Sequence, residues 1–231
     1  MKRLLIDTRM RKIEKDYLKF LGFQLIELMA NEELYEEISS HPDVQVTKIE
    51  NNIIQAPNAS INLKNAIIGY TKVGVNYPES VHYNVCCIGT YLIHNLNYTD
   101  RKILELADNL NMTKIHVNQG YTKCSIAVTS NCSCITTDKN IYDTLLGLKI
   151  DCLYIENDSI FLINKNGLES NMRGFIGGAS AIINNKFILF GDKKNIKSIN
   201  KIEEHLKKYS LEFVFFPGLP IYDYGGIIEI Y

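Results

Sequence analysis

The chain lacks tryptophan, appreciable net charge and any apolar run of membrane-spanning length, and each absence bears on the functions open to it. A formal charge of -1 over 231 residues supplies no basic field to gather nucleic acid or anionic lipid, so no nucleic-acid partner and no membrane are expected. The basic start MKRLLIDTRMRK is interrupted by charge every few residues, and no apolar leader core follows it, so a cytoplasmic protein is expected. No Pro/Gly/Ser-rich linker divides the sequence, and residues 1–231 are expected to form one domain. The six cysteines, Cys86, Cys87, Cys124, Cys132, Cys134 and Cys152, stand mid-chain in apolar, strand-like runs. That suits reduced thiols better than a disulfide framework. Cys132-x-Cys134 has no second matching pair and reads as packing, so neither a metal nor an organic cofactor is implied. The frequent Asn, Lys and Ile suggest an AT-rich genome.

What the sequence does have is an apolar fraction of 46 %, enough for a full core, and an internal repeat. The segments starting at Tyr83 and Tyr121 superpose at a spacing of 38 residues: Cys86 meets Cys124, Ile88 meets Ile126, Thr99 meets Thr137 and Asp100 meets Asp138. Each copy reads as a strand, a second strand, a Thr-Asp helix start, an amphipathic helix and a closing strand. The helix faces carry Ile103, Leu106, Ala107 and Leu110 in one copy and Ile141, Leu145 and Leu148 in the other. RGFIGGASAIINNKFILFGD, from Arg173 to Asp192, opens a third copy, with Asn184-Asn185 as a tight hairpin turn. Its double glycine precedes a strand instead of opening a helix, and there is no Walker lysine, so a phosphate loop is disfavoured.

The tail GLPIYDYGGIIEIY begins a further copy and stops after one strand. At the other end RLLID, RKIEKDYLKFLG and FQLIEL supply strand, helix and strand, and DVQVTKIENNIIQAP adds a hairpin. If the last unit takes its missing parts from the N-terminus, the ring closes with five units: one across the termini, one near residues 41–82, and the three above. The expected fold class is α/β, a five-fold pseudosymmetric α/β propeller of strand-strand-helix-strand units, which protects short sheets from exposed edges.

Such a ring, with GYTKCSIAV, GFIGGASAI, FILFGD and YDYGGIIEI, resembles the pentein, or guanidine-group-modifying-enzyme, superfamily, and looks closest to an uncharacterised bacterial branch of it. The resemblance implies one of two functions. Active penteins attack a guanidinium carbon with a cysteine, move protons with a histidine and hold the cation with acids. Other members are non-catalytic and bind the ribosome. The first implies binding of a small guanidinium- or amine-bearing ligand in the central cavity, with Cys-dependent hydrolysis or amidino transfer. The alternative is an inactive, macromolecule-binding module. The familiar motifs are altered here: the last unit reads Asp223-Tyr224-Gly225-Gly226 without cysteine, and Ile176 precedes Gly177-Gly178 where an acid would stand. A His-x-acid pattern occurs at His41-Pro42-Asp43.

In register, Cys86, Cys124, Gly178 and Gly226 fall at one place of their units. The candidate catalytic set is Cys124 as nucleophile, Asp223 as cation holder, and His82, with His41 as its alternative, for proton transfer. Candidate ligand-binding residues are Arg173, Gly177, Gly178, Asp192, Tyr222, Gly225 and Gly226. Against these stand plainer roles: Cys124 as a buried hydrophobe, Asp223 as a turn residue, and the recurrent Asp100, Asp138 and Asp192 as caps. His94 is expected in an Asn-rich turn and His205 on the polar side of a helix. An edge strand at a terminus leaves room for a homodimer, although no residue pattern establishes one.

Overall fold

The ring closes through the chain ends. In the computed structural model, which describes residues 2–157 and 159–230, strand Ile228–Ile230 pairs antiparallel with Arg3–Asp7, which pairs in parallel with Gln24–Leu28 across the helix Lys12–Phe20. The last unit therefore takes its second strand, helix and closing strand from the N-terminus. The same order recurs in Cys86–Ile88, Tyr91–His94, helix Arg101–Asn109 and Thr113–His116. It recurs again in Ile126–Ser130, Ser133–Thr136, helix Lys139–Gly147 and Asp151–Tyr154, and in Ser180–Ile183, Lys186–Leu189, helix Ile199–Lys208 and Glu212–Val214. The remaining unit has Val46–Ile49, Asn52–Gln55 and Ile67–Ile68 in the same pairing, with a loop in place of the helix.

Local chemistry explains the units. Asn184 and Asn185 both adopt positive φ (49° and 61°), as the predicted two-residue hairpin requires. The recurrent aspartates act as caps: Asp100 accepts from the Lys102 N–H, Asp138 from the Ile141 N–H and Asp192 from the Lys194 N–H. Each helix buries one face, through Ile103 and Ala107, Ile141 and Leu145, or Ile202 and Leu206, at the i, i+4 spacing of a single stripe. Leu148 departs from expectation. It caps the helix C-terminus and is exposed, one turn beyond the buried stripe.

The five-unit count leaves out one sheet. Strand Ile160–Ile163 pairs antiparallel with Glu169–Arg173 and in parallel with Ile221–Tyr222. This insertion between two units fixes the chain entering the last one: the Asp223 N–H donates to the Phe161 carbonyl at 2.9 Å, and the Gly174 N–H to that of Ile160 at 3.1 Å.

The 38-residue alignment also shifts in three dimensions. Cys124, Gly178 and Gly226 each lie two residues ahead of a first strand, whereas Cys86 is already the first residue of its own. Cys86 is therefore not the counterpart of Cys124. Two histidines are corrected as well. His94 lies on a strand, fully buried, with Nε2 on the Gly120 carbonyl and Nδ1 on the Thr99 hydroxyl, each at 2.7 Å. His205 is buried in its helix, with Nε2 3.0 Å from the Thr129 hydroxyl.

Candidate active site

The residues just ahead of the first strands meet at the centre of the ring. Two short helical turns, Pro42–Gln45 and Thr122–Ser125, precede the strands that start at Val46 and Ile126. A helical turn allows residues two apart to project differently from residues on a strand, and it carries Asp43 and Cys124 inward. Pro42 at the first helical position sets the turn, leaving His41 as its N-cap.

Cys124 is held on three sides. Its Sγ donates to Asp43 Oδ2 at 2.9 Å, the Asn84 amide donates to Sγ at 3.2 Å, and its backbone N–H donates to Asn84 Oδ1 at 3.1 Å. The Asn84 carbonyl in turn accepts from the Lys123 N–H and the Thr122 hydroxyl. Asn84, unremarked in the sequence, thus locks the thiol and the backbone of its turn together. One donor atom each from His41, Cys124 and Asp223 lie within 4.8 Å of one another, all three residues being buried.

His41 sits between two carboxylates: Nδ1 is 4.0 Å from Asp223 Oδ1, and Nε2 is 3.9 Å from Asp7 Oδ2. Neither ring nitrogen has a hydrogen-bond partner of normal geometry, although the Asp223 backbone lies close enough to favour the protonated ring weakly. Asp7 is itself clamped by Arg9, whose Nε donates to Oδ1 at 3.0 Å. Asp43 keeps one buried oxygen, Oδ1, without a partner.

Electrostatics at this centre are governed by desolvation. Burial pushes the Asp43 carboxyl up to about 8, with the nearby Asp223 adding to the rise. Asp223 is pushed up to about 7 by burial, against the pull of the Gly225 and Phe175 N–H groups that it accepts at 2.8 Å each. Burial, then Asp43 and Asp223, drive the Cys124 thiol well above its ordinary range. Burial, helped by the Arg9 charge, holds the His41 ring well below its own. The set at rest is a protonated thiol beside a neutral imidazole.

Of the residues singled out in the sequence, the structure brings Cys124 and Asp223 together with His41. His82 lies outside the cluster, half-buried, with Nδ1 2.6 Å from the Tyr98 carbonyl. The four glycines line the centre. A Cβ at Gly178 would collide with the Asp223 carboxylate, and one at Gly225, where φ is +66°, would lie 2.5 Å from His41 Cβ. These two positions make room for the acid and the histidine. Gly177 packs against the Lys123, Cys124 and Ile126 carbonyls, and Gly226 lies beneath the Lys123 ammonium. Three expected ligand contacts fall elsewhere. Arg173 is on the inserted sheet with its guanidinium 4.2 Å from the Phe161 ring centre, and Tyr222 stacks under Arg11. Asp192 spends its second oxygen on the Gly218 N–H at 2.8 Å. Cys132 is exposed and Cys134 buried, so these two share no metal-facing wall.

The axial space continues from this centre. A 270 Å³ cavity lined by Asp43, Lys48, Tyr83 and Lys123 adjoins a larger one of 480 Å³ walled by Lys2, Lys48, Lys123 and Glu229 among others. Lys2 is paired with Glu229 at 3.1 Å. Burial pushes the Tyr35 hydroxyl above its ordinary range, and it lies 3.4 Å from that of Tyr121.

A closed ring of five such units is the pentein fold. Dimethylarginine dimethylaminohydrolase (DDAH) from Pseudomonas aeruginosa, a cysteine-to-serine mutant complexed with citrulline, superposes with a TM-score of 0.58 at 7 % identity over 93 % of this chain and 91 % of that one. Agmatine deiminase from C. jejuni superposes with a TM-score of 0.53 at 10 % identity, over 93 % and 87 %. The chain belongs to a family of unknown function (DUF6873), whose model matches residues 5–228. No curated protein matches it in sequence. Among the described residues, no helix is long and apolar enough to cross a membrane.

Proposed function

We propose that this pentein is a Cys-dependent hydrolase of a small guanidino or amidino compound, with Cys124 as nucleophile, His41 as proton carrier and Asp43 with Asp223 as cation holders. The observation that carries this reading is the meeting of thiol, imidazole and carboxylate within 4.8 Å at the hub. The solved structures that share the fold include proteins named for guanidino substrates.

The resting thiol is a poor nucleophile, because burial first, and then the two acids Asp43 and Asp223, oppose its ionisation. A bound guanidinium reverses this. Its charge offsets Asp43 and Asp223, and its planar carbon sits beside Sγ. Sγ then bonds to that carbon, while the thiol proton passes through Asp43 or His41 to the departing amine and the C–N bond breaks. Water next attacks the S-linked carbon and gives its proton to His41. The C–S bond breaks, and the thiol recovers its proton. The net change is guanidine plus water to urea plus amine, with no redox step. Asp7 keeps His41 oriented throughout.

The test compares two electrophiles of equal size, chloroacetamidine, which is cationic, and chloroacetamide, which is neutral. The reading expects Cys124 to be alkylated at least about tenfold faster by the cation, since only the cation offsets the buried acids, with mass spectrometry locating the adduct. Equal rates, or labelling confined to exposed Cys132, would overturn it and leave the macromolecule-binding alternative.

A further inference from the structure

The axial space gathers positive charge in a chain whose formal charge is only -1. Its 480 Å³ cavity is lined by Lys2, Lys48 and Lys123 against a single acid, Glu229, and Glu229 is taken by Lys2 at 3.1 Å. Lys123 is half-buried, yet among the described residues its ammonium has neither an ion pair nor a hydrogen bond. Drawing a cation partly out of water with no counter-charge beside it is costly. We infer that this cavity binds a small multivalent oxyanion, held by Lys48 and Lys123 with Asn131 and Asn184 at its outer end, and that the bound anion promotes cation binding at the hub. The coupling rests on the reading of the hub as a cation site, whereas the anion site does not.

The donor set fits that ligand class. Lysine ammoniums are adjustable point charges suited to a phosphate or to clustered carboxylates, and no arginine fork lines the cavity to select one planar carboxylate. Asn131 and Asn184 are exposed hairpin-turn residues, and each amide offers two N–H donors. A cleft with an excess of one sign and walls of low dielectric focuses its field on an incoming ion. Two further acids border the smaller, 270 Å³ cavity. Asp43 opposes an anion little at neutral pH, since burial pushes its carboxyl up to about 8, and Glu50 lies on an exposed turn where water and salt screen it.

Lys123 links the two places. It lines both cavities and directly precedes Cys124 in the turn Thr122–Ser125, where successive side chains diverge by about 100°. The thiol therefore meets Asp43 while the ammonium stands over Gly226. Its charge draws both Asp43 and Asp223 downward, and so opposes a second cation at the hub. An anion beside the ammonium offsets that opposition, and the two ligands favour each other by the same factor.

The experiment titrates full-length protein calorimetrically with inorganic phosphate and with citrate at about pH 7, in buffers matched in ionic strength with sodium chloride. One equivalent of at least one of them should bind more tightly than about 1 mM. Citrate alone assigns clustered carboxylates and phosphate alone a phosphoryl group. Lys48→Gln and Lys123→Gln should each weaken binding at least about tenfold, while Lys139→Gln, which breaks an exposed helix pair with Asp143, leaves it unchanged. A thermal melt accompanies each variant, and either lysine change suffices if the other fails to fold. At about pH 9, where both hub acids ionise, saturating anion should speed chloroacetamidine labelling of Cys124 at least about threefold and leave the chloroacetamide rate nearly alone. Lys123→Gln should mimic the anion and abolish its effect. No binding beyond the chloride-matched buffer, or affinity unchanged in both lysine variants, overturns the site. Anion binding without a change in the chloroacetamidine rate overturns the coupling alone. Cation-selective labelling without anion binding sinks the anion site and spares the hydrolase, and anion binding with equal electrophile rates does the reverse.

Discussion

Asp192 at the rim and Asp223 at the hub make a controlled comparison. Each accepts two backbone N–H groups: Lys194 and Gly218 at Asp192, Phe175 and Gly225 at Asp223. The Asp192 carboxyl is held below its ordinary range by those bonds, yet Asp223 is pushed up to about 7. Identical hydrogen bonding with opposite outcomes means that desolvation, with other buried acids nearby, decides the charge at the hub. Recurrent acids serve the repeat, and the acids that break the repeat build the site.

The sharpest way to break this comparison is Asp223→Asn against Asp192→Asn. The hub change should slow chloroacetamidine labelling of Cys124 by about 100-fold or more, since it removes the charge that meets the cation. The rim change should leave that rate alone. Both rates are referred to the folded fraction, because an amide at 223 turns an N–H toward one of two N–H donors.

A change of shape at the hub comes next. Gly178→Ala places a methyl group on the Asp223 carboxylate and should destabilise the protein by about 3 kcal/mol, the range of overpacked cores. A denaturant titration that shows less than about 1 kcal/mol would mean that the hub yields and is not rigidly built.

The third test is pH. Burial pushes His94 down to about 4 from the ordinary 6.5, so the unfolded chain takes up the proton first. The stabilisation is complete above about pH 6.5 and is lost as pH falls toward 4, about 2 kcal/mol of it by pH 5. Urea midpoints at pH 7.5 and 5 should differ less in His94→Gln than in the wild type. The smallest effect belongs to the rim: Asp138→Ala removes a helix cap and should cost about 1 kcal/mol, with labelling of Cys124 unaltered.

Much of the ring was legible because strand alternation, Asn-Asn turns and Asp caps are local signals. The strand-strand-helix-strand units and their closure through the termini follow from them. The inserted sheet escaped, since its pairing of residues 160–163 with Ile221–Tyr222 is long-range and its strands repeat nothing. In the site, Cys124 and Asp223 could be singled out from a cysteine and an acid at unit starts. His41-Pro42-Asp43 was visible as a motif, but nothing in it ranked His41 above His82.

By itself the sequence determined the repeat, because backbone geometry and side-chain periodicity act between neighbours in the chain, whereas its exact register came from the fold, which parts Cys86 from Cys124. Only the tertiary structure decided which side chains at the hub are buried together. The approach of Asp7, His41, Asn84, Cys124 and Asp223 spans most of the chain, and their charge states follow from removing water around all of them at once.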